Sequence, residues 1–139
     1  MDLVRTVARP LLAGMFVYGG RDSFGHPQTK VARAESVVTP IVDTLGLPHE
    51  TQTWIRVNGA VQVVAGTALA LGRWPRAAAL ALAASLVPTT LAGHSFWDEE
   101  DATARGAQRI QFLKNLSMLG GLLLVVGDGG HCPPATGAS

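Results

Sequence analysis

Apolar residues fall into four long runs, at positions 3–20, 54–71, 77–93 and 110–127, and polar residues gather between them. Each run is close to the roughly 20 residues that cross a hydrocarbon core about 30 Å thick. Charges are sorted to match, because residues 57–72, 77–93 and 115–127 contain none. Four helices that are apolar all round do not suit a soluble domain of this length. The pattern predicts an all-α polytopic membrane protein, with four transmembrane helices in an up-down bundle. It forms one domain over residues 1–130, and residues 131–139 form a Gly- and Pro-rich flexible tail.

The connector over 21–53 is too long for a turn and has a pattern of its own. Val31, Ala34, Val37, Val38, Ile41, Val42 and Leu45 recur at helical spacing, while Lys30, Arg33 and Glu35 lie off that face. This predicts an amphipathic segment in the headgroup plane, between the first and second spans. Thr39-Pro40 predicts a break, with Thr39 capping a second short helix that Gly46 ends. Gly19-Gly20 is expected to close the first span. Gly59, Gly66 and Ala70 on the second span, and Ala81 and Ser85 on the third, offer edges for close helix approach. Trp54 and Trp97 suit aromatic belts.

Orientation follows from the basic residues. Arg5, Arg9, Arg73 and Arg76 crowd short segments at one end, which places both termini on the cytoplasmic side of the cell (inner) membrane. The run after Arg5 and Arg9 lacks a small-x-small cleavage pattern and is read as an uncleaved first span.

Composition narrows the chemistry. The formal net charge is +1, which gives no sign of nucleic-acid binding. The single cysteine, Cys132, excludes an intrachain disulfide and a dithiol mechanism. His26, His49, His94 and His131 are scattered without ligand spacing, so neither a metal site nor a haem is predicted. No motif assigns a catalytic residue.

Polar side chains within spans need a reason to be there. Tyr18 and Arg21 lie at the exit of the first span. Asn58 and Gln62 lie one turn apart on the second, with Arg56 before them. His94 ends the third span, and Lys114 and Asn115 lie just inside the fourth, after Arg109. In an up-down bundle these positions share one level. Tyr18, Arg21, Asn58, Gln62, His94, Lys114 and Asn115 are therefore the candidate ligand-binding cluster, suited to a small molecule or a quinone head. Each also has a plainer reading. Lys114 and Arg109 can snorkel to the interface. Asn58 and Asn115 can be hydrogen-bond glue between helices.

Four stretches carry a family resemblance. Residues 9–20 (RPLLAGMFVYGG), 58–72 (NGAVQVVAGTALALG), 94–97 (HSFW) and 112–124 (FLKNLSMLGGLLL) resemble, in order, the helix signatures of the DoxX family of small bacterial membrane proteins. The resemblance implies a four-helix membrane protein attached to redox chemistry, with some relatives linked to thiosulfate and quinone. It implies an integral membrane subunit of a redox complex, binding quinone or anchoring soluble partners. The alternatives are an autonomous thiol- or thiosulfate-to-quinone oxidoreductase, or a lipid- or small-molecule-binding oligomer. Expected partners are the bilayer and either other proteins or further copies of the chain.

Overall fold

The computed structural model describes residues 2–128, and among them the chain is helical with no strand. Five α-helices follow one another: α1 (Leu3–Gly25), α2 (Val31–Leu45), α3 (Thr51–Ala70), α4 (Pro75–Gly93) and α5 (Ala102–Gly127). Short 3-10 turns at Pro27–Thr29 and Phe96–Asp98 precede α2 and α5. The expected tail over 131–139, with His131 and Cys132, lies outside the described residues.

The helix ends follow from local chemistry. Asp2 accepts from the Val4 amide at 3.0 Å, and Asp101 accepts from the Ala104 amide at 2.8 Å. Both satisfy amides that a first turn leaves unpaired. Pro75 opens α4, where its missing N–H costs nothing. Gly46 ends α2 in the left-handed conformation, at φ 65°.

Three boundaries differ from those expected. Gly19-Gly20 does not close α1, which runs on to Gly25. Gly20 instead lets α3 approach: a Cβ there would meet the Gly59 carbonyl oxygen at 2.7 Å, and one on Gly59 would meet the Gly20 oxygen at 2.6 Å. α2 passes through Pro40 unbroken. The proline frees only the Ser36 carbonyl, and Ser36 is exposed, so water can satisfy it. α5 begins at Ala102, well before the apolar run, because Asp101 supplies a cap there.

α1 packs along α3, α3 against α4, and α4 against α5. α2 lies across α3 and α4. The core between these helices holds Ala13, Phe16, Leu69, Leu82, Leu86 and Leu122. At one end Arg5 grips Asp128 through two nitrogens, at 2.8 and 3.0 Å, and Arg76 donates to the Val126 carbonyl at 3.0 Å. The starts of α1 and α4 therefore meet the end of α5.

The outer surface is apolar. Leu11 is 75% exposed, Val64 70% and Leu124 77%, on three different helices. Many further large apolar side chains are exposed, among them Leu3, Met15, Val57, Leu80 and Leu113, as a lipid-facing surface would have. By length and composition two segments suffice to cross a membrane, Pro75–Asp98 and Ala102–Gly127. Four were expected. α1 and α3 have the length but fall short in hydropathy, since α1 carries Arg5, Arg9 and Arg21 and α3 carries Arg56, Asn58 and Gln62.

Candidate functional site

The polar side chains inside the fold come from α3, α4 and α5. Asn58 and Gln62 are one turn apart on the α3 face that meets α4, and Ser85 and Thr89 are one turn apart on the α4 face that answers it. Gln62 Nε2 donates to Ser85 Oγ at 2.9 Å and to Thr89 Oγ1 at 3.3 Å. Asn58 Nδ2 donates to Thr89 Oγ1 at 2.9 Å, and Ser85 Oγ donates to Asn58 Oδ1 at 2.7 Å. Thr89 Oγ1 donates in turn to the Ser85 carbonyl at 2.8 Å. Four side chains thus close a ring of hydrogen bonds with each donor aimed at an oxygen.

A second link joins α4 to α5. Asn115 Nδ2 donates to Thr90 Oγ1 at 2.9 Å, and that hydroxyl donates to the Leu86 carbonyl at 2.7 Å. Beyond it, His94 Nδ1 lies 2.8 Å from Gln108 Oε1, so the ring N–H donates to the amide oxygen. Phe96, Trp97 and Phe112 stack edge to face around this corner, with centroids 5.2 to 5.9 Å apart. The Arg109 guanidinium sits 5.3 Å over Phe96. Among the described residues, every fully buried side-chain nitrogen and oxygen has a partner.

The expected cluster therefore divides. Asn58 and Gln62 come together, Asn115 joins α4 on its other side, and His94 sits at the aromatic corner. Tyr18, Arg21 and Lys114 face outward and join none of these bonds. Arg56 and Arg109 are also exposed. The sequence reading did not find Thr89, Thr90 or Gln108, and took Ser85 only as a small packing edge. The signal available was the i, i+4 spacing of Ser85 and Thr89, which mirrors that of Asn58 and Gln62.

Two spaces adjoin these groups. Beside Asn115 a cavity of about 80 Å³ opens between α4 and α5, lined by Leu86, Thr90 and Phe112 among others. It is well below the roughly 300 Å³ of the smallest ordinary ligand sites. The second is an open groove of about 730 Å³ along α1, with Pro10, Gly14 and Val17 along it and Tyr18, Arg21 and His26 at one end.

At that end Asp22 pairs with Lys30, and His26 lies 3.4 Å from it. The hydrogen bond from Lys30, and then its charge, hold the Asp22 carboxyl below its ordinary pKa of 3.8. No group of three or more metal-ligating side chains gathers among the described residues.

A family model described as DoxX matches residues 4–95, which span α1 to α4. No curated protein and no solved structure matches the chain.

Proposed function

Since the chain belongs to the DoxX family of membrane proteins associated with redox systems, we propose that it is a non-catalytic integral membrane subunit of a bacterial redox complex. On this reading α1, α3, α4 and α5 cross the inner membrane and α2 lies in the headgroup plane, with both termini in the cytoplasm. At about 1.5 Å per residue, the apolar run 3–20 of α1 and the 20 residues of α3 rise about 27 and 30 Å, close to a core about 30 Å thick, so that Arg21 and Asp22 stand where α1 leaves the membrane. The outward-facing Leu11, Val64 and Leu124 support lipid around the outside.

One observation carries the subunit role. The polar side chains inside the fold are occupied with one another, whereas the cationic ones, Arg21, Arg56, Arg109 and Lys114, point outward. An interior committed to holding helices together leaves the surface to act, on partner proteins, on lipid or on the head of a quinone that approaches from the bilayer.

The test is mild extraction followed by native mass spectrometry and a turnover assay. The reading expects soluble redox proteins, or further copies of the chain, to be retained with it. It expects no thiol- or thiosulfate-dependent quinone reduction by the isolated chain. An isolated chain that turns over would overturn the subunit role in favour of an autonomous oxidoreductase, and loss of that turnover in Cys132→Ser would place the chemistry at the thiol.

A further inference from the structure

The groove along α1 has one apolar length and one polar end. Pro10, Gly14 and Val17 lie along it, with Ala70 of α3 beside them, and Arg21, Tyr18 and His26 stand at its end. Its depth there follows from Gly14: a Cβ added at that residue would meet nothing within 4 Å. A larger side chain at this place starts from open space and takes up part of the groove.

The charge at the end is unbalanced. Asp22 is taken up by Lys30 and His26. Arg21 has neither an ion pair nor a hydrogen bond among the described residues, and Tyr18 is 76% exposed with its hydroxyl equally free. A cation and a phenol donor therefore stand together, unsatisfied, where α1 reaches the membrane surface. Length fits as well. From Pro10 to Arg21 the helix rises about 16 Å, and one leaflet contributes about half of a 30 Å hydrocarbon core.

The geometry points to a binding site for one anionic phospholipid. Its phosphate is held by Arg21 and Tyr18, and an acyl chain lies along Val17, Gly14 and Pro10. The inference rests on α1 crossing the membrane. It adds to the subunit reading a fixed lipid that fills this face of α1.

Full-length protein, delipidated in detergent, is offered phosphatidylglycerol or phosphatidylcholine, and retained lipid is read by native mass spectrometry. Wild type keeps phosphatidylglycerol about fivefold better, the size expected of one basic side chain at an anionic surface. Arg21→Gln removes that preference. Arg56→Gln, another exposed arginine but outside the groove, leaves it intact. Gly14→Leu lowers retention of both lipids with thermal stability unchanged, because only the acyl chain loses its place. Inorganic phosphate does not displace the lipid.

Equal retention of the two lipids by wild type, a preference that survives Arg21→Gln, or retention of quinone in place of either would overturn the site. Failure of the membrane reading looks different: the chain would then stay in solution after detergent removal, whatever lipid it had kept.

Discussion

Gln62 is buried, and its amide donates to two hydroxyls of α4, so its removal tests whether the α3–α4 ring is structural. Gln62→Leu should lower thermal stability in detergent by an amount near the membrane average of about 0.6 kcal/mol, and no more than about 2. Asn58→Leu should cost a similar amount, and the double variant less than the sum, because both side chains share Thr89. Unchanged melting for both single variants would return these residues to a ligand-binding role. Asp22 offers a pH test outside the membrane. Its folded pKa is lowered, so the Asp22–Lys30 pair contributes fully above about 3.8 and is lost as pH falls through the lower folded value. Amide exchange at Lys30, corrected for intrinsic rate, should quicken on acidification through that range, and Asp22→Asn should remove the dependence. Among single residues the sequence revealed which polar groups were out of place. It did not reveal their direction, because one helical face of α3 differs from another only through what α4 brings to it.

Helix contacts turn on whether a glycine faces backbone or side chain. A Cβ on Gly59 would meet the Gly20 carbonyl oxygen at 2.6 Å, and neither backbone can yield cheaply. A Cβ on Gly66 would meet a methyl of Val17 at 2.9 Å, which a small shift relieves. Gly59→Ala should therefore destabilise by roughly 1–3 kcal/mol, more than Gly66→Ala, with Gly14→Ala near neutral. Detergent melting of the three variants checks the order. The apolar runs and the helical period of 31–45 made the helices legible, although only the segments at α4 and α5 are long and apolar enough to cross a membrane. Pro40 and Gly20 misled as signals, because each looks like a stop until the water beside Ser36 and the backbone of α3 are in place.

For the molecule as a whole, the shared end of Arg5, Arg76 and Asp128 fits an even number of crossings. Reporter fusions at the two ends should report the same side of the membrane, the cytoplasm, and opposite sides would remove the four-crossing reading. Lys114 is exposed on α5 and makes no bond that holds the fold. Lys114→Leu should leave insertion and melting within about 0.5 kcal/mol of wild type, while weakening any partner or headgroup that this lysine meets. The overall class was legible early because lipid imposes one rule on every outward position. The site was less so, because the same asparagine serves a ligand or a neighbouring helix equally well in sequence.

The grip of Arg5 on Asp128 has a consequence for how the chain is made. Arg5 and Asp128 lie 123 positions apart, so the arginine has no such partner until α5 has been made. A chain halted after α4 would lack both this clasp and the approach of Leu12 to α5 at Gly121, so nothing from α5 secures this end of α1 until the last described helix is in place.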